Sequence, residues 1–168
     1  EESWEATGNV SLIFDLDAEA TDLEGYLFPD TYHAPHGAGS ADIVEIMVER
    51  FRQVWTASRE AQAEAAGLLI REVLTMASLV EAETGQASER ALVSGVYHNR
   101  LERRMLLQCD PTLLYALRLD GRTDRNIRRA DFVNESPYNT YRFAGLPPGP
   151  IGNPGEASIE AALHPAQT

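Results

Sequence analysis

The stretch from Glu60 to Thr84 reads as a single apolar helix ending in Val80-Glu81-Ala82-Glu83-Thr84, with Gly85 as its stop. Its wheel decides which of the two glutamates is set among apolar neighbours. At about 100° per residue, with Glu81 at the origin, Ile70, Leu74 and Ala77 fall within about 40° of it. Val73 and Val80 lie about 80–100° to one side, and Glu83 points roughly 160° away, near Glu72. Arg71, Thr75 and Ser78 form a polar strip on the other flank. Glu81 therefore sits inside the apolar arc, where a carboxyl resists ionising and can serve as an acid near neutral pH. The plainer alternative is a frayed last turn carrying two ordinary solvated glutamates.

Charge narrows the partners. A formal net charge of −12 argues against nucleic acid and against adhesion to anionic lipid. The 14 basic residues are all arginine. Residues 1–49 hold 12 acids and no base, whereas residues 100–129 hold eight arginines against four acids. Such a stretch either faces an anionic substrate or is an ion-paired surface. Cys109 is the only cysteine, which excludes an internal disulfide and reads as a small buried residue. His33, His36, His98 and His164 lack close paired spacing, so no metal or other cofactor is expected. No run of about 18 apolar residues is present.

The remaining elements follow from pattern. Val10, Leu12, Phe14 and Leu16 alternate over residues 8–17 as in a strand. Glu24 to Tyr32 is a turn-rich aromatic segment, and His33 to Gly39 a flexible loop. Ser40 is expected to cap a helix with Ile43, Ile46, Met47, Phe51, Val54 and Trp55 on one side. A helix from about Ser88 to Arg104 turns Leu92, Val93, Val96, Tyr97 and Leu101 inward. Asp110-Pro111 reads as N-cap and first-turn proline of a short helix through about Arg118. A final helix, about Glu156 to Leu163, stops before Pro165.

Between Ser136 and Gly155 five prolines and four glycines preclude more than turns or short strands, the latter around Tyr138 to Phe143. The loop carries Tyr138, Asn139, Tyr141, Phe143 and Leu146, too aromatic for disordered filler. Its rings and amides suit a carbohydrate, or they pin the loop to the core. The expected class is α+β, mostly helical with a small β component. Residues 1–20 are expected to be the end of a preceding segment or a first strand, and residues 21–168 the main domain.

Several motifs then occur in order. They are Glu24-Gly25-Tyr26-Leu27-Phe28-Pro29-Asp30-Thr31-Tyr32, Met76 to Thr84, Ser88-Glu89-Arg90, Val96-Tyr97-His98-Asn99-Arg100-Leu101, Leu107-Gln108-Cys109-Asp110-Pro111-Thr112, Tyr138-Asn139-Thr140-Tyr141, Gly145 to Ile151, and His164-Pro165-Ala166. Together they resemble the endolytic murein transglycosylases, the YceG-like or MltG family. That resemblance implies a lysozyme-like active-site helix and Glu81 as the catalytic acid. It implies cleavage of the bond between N-acetylmuramic acid and N-acetylglucosamine inside glycan strands, leaving a 1,6-anhydromuramoyl end. It also implies peptidoglycan as substrate, peptidoglycan synthases as candidate partners, and a parent protein held by one N-terminal membrane helix and facing outward. By that comparison the chain is a soluble piece lacking the anchor, the preceding domain and the strand-rich C-terminal tail. Cys109 departs mildly from the family, where threonine or serine is common.

A reaction of this kind needs one carboxylate where most glycosidases need two, because the sugar's own C6 hydroxyl attacks C1. Gln108, Tyr138, Asn139 and Tyr141 are the expected substrate-binding residues. Glu83, Asp110 and Arg100 are expected supports, with Glu83 paired to an arginine such as Arg100 and Asp110 capping its helix. The alternatives are a muramidase that uses water and a non-catalytic peptidoglycan-binding or scaffolding module.

Overall fold

The computed structural model describes residues 7–33, 36–124 and 126–167. Residues 1–6 of the expected first segment and residues 34–35 of the His33 to Gly39 loop lie outside that description. Among the described residues six α-helices carry the fold: α1 (Ser40–Val54), α2 (Ala57–Ala65), α3 (Ile70–Glu83), α4 (Arg90–Glu102), α5 (Asp110–Leu119) and α6 (Glu156–Leu163). Short 3₁₀ turns at Val10–Leu12, Ala87–Glu89 and Arg129–Val133 join them.

No strand occurs among the described residues, so the α+β expectation is corrected to an all-helical fold with long turns. The alternating run at residues 8–17 has no second strand to pair with, and a lone strand leaves its ladder groups unsatisfied. The chain instead coils locally, with Ile13 N–H donating to Val10 O and the N–H groups of Leu16 and Asp17 to Ile13 O. This buries Ile13 fully and leaves Phe14 exposed, the reverse of the alternation. Around Tyr138 to Phe143 the same thing happens: the N–H groups of Arg142 and Phe143 both reach Asn139 O at 3.0 Å.

The expected Glu60–Thr84 helix is two helices. Gly67, at φ +69°, ends α2 in a Schellman motif, with Leu68 N–H donating to Ala63 O at 2.9 Å and Gly67 N–H to Glu64 O at 3.0 Å. Glu72 then accepts from Leu69 N–H at 2.8 Å and starts α3. This break frees α3 to lie in the middle of the molecule. Helix α6 runs along it, α4 and α5 flank it, and α2 touches both α3 and α6.

Because α3 is enclosed, Ile70, Leu74 and Ala77 are buried as the wheel expects, and so are Met76, Leu79 and Val80. Thr75 and Ser78, assigned to a polar strip, are buried too. Their hydroxyls bond back to Arg71 O and Thr75 O, each at 2.7 Å. Arg71 reaches the largely buried Asp17 at 2.5 Å, and Tyr26 donates to the same carboxylate at 2.6 Å. On α4, Leu92 and Val96 are exposed rather than inward, whereas Tyr97 is buried.

The proline-rich loop is braced from both sides. Ile151 N–H donates to Ser78 Oγ at 3.0 Å. Asn153 Oδ1 accepts from Gly25 N–H at 2.8 Å and Leu27 N–H at 3.1 Å. Gly25 has φ +92°, and a Cβ there would meet Pro150 Cγ at 2.5 Å. The aromatic-proline segment and the loop are therefore packed at backbone contact, and together they deliver α6 to the end of α3.

Candidate active site

The C-terminal end of α3 is where α6, α4 and α5 converge, and its two glutamates face opposite sides. Glu81 turns toward α6. Its Oε2 accepts from the fully buried Ser158 hydroxyl in the first turn of that helix, in a short hydrogen bond. Its Oε1 lies 3.5 Å from Arg90 Nη2. The Glu81 side chain remains 38% exposed, so Ile70, Leu74 and Ala77 are buried beneath it without enclosing the carboxylate. One oxygen is thus fixed by Ser158, and the other accepts a long hydrogen bond from the Arg90 guanidinium.

Glu83 turns toward α4 and α5. It accepts from Tyr97 OH at 3.1 Å and lies 3.8 Å from Cys109 Sγ. Burial, with help from Cys109 and Glu83, holds the Tyr97 phenol far above its ordinary value, so it stays a donor. Burial likewise pushes the Cys109 thiol up to about 12, which suits a packed thiol and not a nucleophile. Arg100 is not the partner expected for Glu83; it donates to Leu107 O.

The predicted substrate-binding residues separate into three situations. Gln108 is exposed and has φ +51°, a left-handed backbone unusual for a non-glycine residue. Its N–H donates to Thr140 O at 3.1 Å, and Cys109 N–H donates to Thr140 Oγ1 at 3.0 Å. These two bonds hold the strained residue in place. Tyr141 donates to Asp110 in a short hydrogen bond, and burial followed by that carboxylate pushes its phenol up to about 12. Asp110 is the first residue of α5, with Cys109 in the cap position, so its carboxylate serves Tyr141 and not the helix start.

Asn139 is fully buried. Its amide nitrogen donates to Phe132 O and Asn134 O, and its oxygen accepts from Tyr141 N–H. Its polar atoms are thereby engaged inside the loop, where they set the position of Tyr141. Tyr138 lies elsewhere, with its ring 4.7 Å from that of Tyr115 and Gly149 beneath its hydroxyl.

Ser158 and Arg90 are contacts of Glu81 that the sequence reading did not assign. Arg90 was visible inside a motif. Ser158 carried no local mark, since it lies 77 residues from its partner. Among the described residues no group of three or more His, Cys, Asp or Glu side chains could hold a metal, and no helix is long and apolar enough to cross a membrane.

The YceG-like family profile matches residues 3–168. The chain is 40% identical over 147 residues to an endolytic murein transglycosylase of Bacillus subtilis (strain 168), covering 87% of this chain and 40% of that protein. It is 35% identical over 147 residues to an endolytic murein transglycosylase of Streptococcus pneumoniae serotype 2 (strain D39 / NCTC 7466), covering 84% of this chain and 26% of that one. A crystal structure of a yceG-like protein from Listeria monocytogenes superposes with a TM-score of 0.84 at 33% identity, covering 99% of this chain and 58% of that one. The chain thus spans well under two thirds of each of these relatives.

Proposed function

Since the chain belongs to the YceG-like family, we propose that it is the catalytic part of an endolytic murein transglycosylase. The bond cut is the β-1,4 link from N-acetylmuramic acid to N-acetylglucosamine within a glycan strand. The observation that carries this reading is the Glu81 carboxylate, 38% exposed at the meeting of α3 and α6, with Oε2 fixed by Ser158 and Oε1 beside Arg90 at 3.5 Å.

In the first step Glu81 gives a proton to the glycosidic oxygen while the bond from C1 to that oxygen breaks. The muramoyl O6 then bonds to C1, and its proton passes to the Glu81 carboxylate. The anhydro ring closes, the acid is restored and no water is consumed. Ser158 keeps the carboxylate in one orientation through both transfers, and Arg90 balances the charge that appears between them. Gln108 and Tyr141 are proposed to bind the sugar from the Glu83 side, with Asn139 setting the loop that presents Tyr141.

A single-acid mechanism is favoured over a muramidase because the carboxylates next in sequence to Glu81 and to its partners Arg90 and Ser158 each have a partner of their own. Glu83 is held by Tyr97, Glu89 accepts from Thr84 Oγ1 at 2.7 Å, and Glu156 pairs with Arg59 at 2.7 Å. A second, free carboxylate is what a water-using enzyme would need. The proposed setting is the cell envelope, with the parent protein anchored in the membrane and acting on peptidoglycan alongside its synthases.

Mass spectrometry of sacculi digested with this chain tests the reading. Wild type should release anhydro-muropeptides, and Glu81→Gln should lower their yield at least about 100-fold, the loss expected for a general acid. Reducing-end muramic acid as the product would establish the muramidase instead. Full activity in Glu81→Gln, with loss in Glu83→Gln, would move the acid to the other glutamate.

A further inference from the structure

A groove of about 580 Å³ opens beside the proposed acid. Its wall begins at Ala82, the residue after Glu81, and continues through Ile151, Pro111 and Leu114 to Arg118, Arg122, Thr123 and Asp124. Ile151 belongs to the loop that leads into Gly155 and Ser158, and its N–H is tied to α3 through Ser78. A chain bound across Glu81 therefore has this groove next to it, sharing a wall.

The two arginines differ in what they can offer. Arg122 is neutralised: it bonds Asp124 at 3.0 and 3.1 Å and Asp131 at 2.7 Å. Arg118 forms no ion pair among the described residues. Its guanidinium lies 5.7 Å over the Tyr115 ring, which braces it without using its donors. Glu24, the acid nearest in effect, is held by burial and by Tyr115 OH at 3.5 Å and acts on Arg118 only at a distance.

The groove thus combines the apolar side chains of Ala82, Pro111, Leu114 and Ile151 with Thr123, the mutually neutralised Arg122–Asp124 pair, and one guanidinium, Arg118, whose hydrogen bonds are unused among the described residues. In a molecule of net charge −12, an anion is repelled at long range, so any anion bound here must be taken by a local contact. The size falls in the range of small-ligand clefts and exceeds what a lone carboxylate would fill.

We propose that this groove is a subsite for a short aliphatic peptide bearing a free carboxylate, carried as a branch on the sugar beside the bond that Glu81 cuts, with Arg118 pairing the carboxylate. This rests on reading the chain as a peptidoglycan-cleaving enzyme, and it makes the enzyme sensitive to the state of the stem peptide. The apolar wall accepts alanine-type methyl groups, and Arg118 distinguishes an acid from its amide.

The test is binding to this chain carrying Glu81→Gln, by isothermal titration with three disaccharide probes. One bears a stem peptide with free carboxylates, one the same peptide amidated, and one no peptide, leaving only the lactyl carboxylate. The free-acid peptide should bind about 2–5-fold more tightly than the amidated form, the scale of one exposed ion pair. Arg118→Gln should remove that preference and Arg118→Lys should keep part of it. Equal binding of acid and amide, equal binding of the peptide-free probe, or a preference that survives Arg118→Gln would each overturn the proposal, as would no measurable binding of the free-acid form. Binding is read without catalysis, so cleavage that persists in Glu81→Gln would count against the acid assignment alone.

Discussion

Gly25→Ala probes the contact that seats the proline-rich loop. Two separate costs can be worked from the structure. At φ +92° an L-residue is in left-handed territory, at about 1–2 kcal/mol. The new Cβ would also stand 2.5 Å from Pro150 Cγ and 2.9 Å from Pro150 Cβ. These are atoms of a ring fused to the backbone, so they cannot rotate away, and overpacking of this sort costs about 1–3 kcal/mol. The sum, roughly 2–5 kcal/mol, corresponds to a fall in Tm of about 5–15 °C for a chain of this length. Gly67→Ala supplies the control for the first cost, because Gly67 has φ +69° and open space around its would-be Cβ. Gly85→Ala, with nothing within 4 Å and no such backbone angle, should be nearly silent. Thermal melts followed by circular dichroism should rank the three variants Gly25, Gly67, Gly85 from most to least harmed. If Gly25→Ala melted within about 2 °C of Gly67→Ala, on the same size scaling, the Pro150 contact would not be the constraint described.

Acid should weaken the fold through Asp17. Burial pushes its carboxyl up, but hydrogen bonds from Arg71 and Tyr26 outweigh this and leave it below the usual carboxylate range. A depressed value means the stabilisation is complete above the unfolded pKa near 3.9 and is lost as pH falls below it through the folded value. Asp17→Asn should therefore cost roughly 2–4 kcal/mol in urea titrations at pH 7, and the gap to wild type should narrow below pH 4; a gap unchanged at pH 2.5 would contradict the pairing. Cys109, with its thiol pushed up to about 12 by burial, should resist a disulfide reagent in the native protein at pH 8 and react at once in denaturant. Rapid native labelling would show that the thiol is not sealed.

The fold was legible where local chemistry settled the matter. Helix α6 runs from Glu156 to Leu163 as read, because Gly155 precedes it and a proline follows closely. The break at Gly67 was hidden by apolar residues continuing on both sides. The signal that could have exposed it was the pairing of that glycine with Glu72, three residues past Leu69, a combination that ends one helix and starts the next. The alternation at residues 8–17 misled because strand formation depends on a partner, which no window of sequence contains. The wheel around Glu81 placed Ile70, Leu74 and Ala77 correctly, yet its polar flank was no guide: Thr75 and Ser78 satisfy themselves against their own helix and go inside. Ser158 could not be found from pattern at all. A serine in a short helix looks like any other until the fold brings it to a carboxylate.

That pairing has a consequence for when the site comes into being. Glu81 precedes Ser158 by 77 residues. The loop that carries Ser158 to its place is itself anchored on Gly25, 128 residues before Asn153. A nascent chain that has emerged only through α5 therefore has Glu81 and Arg90 without the Ser158 hydroxyl, and three segments distant in sequence must close on one another before the pairing forms.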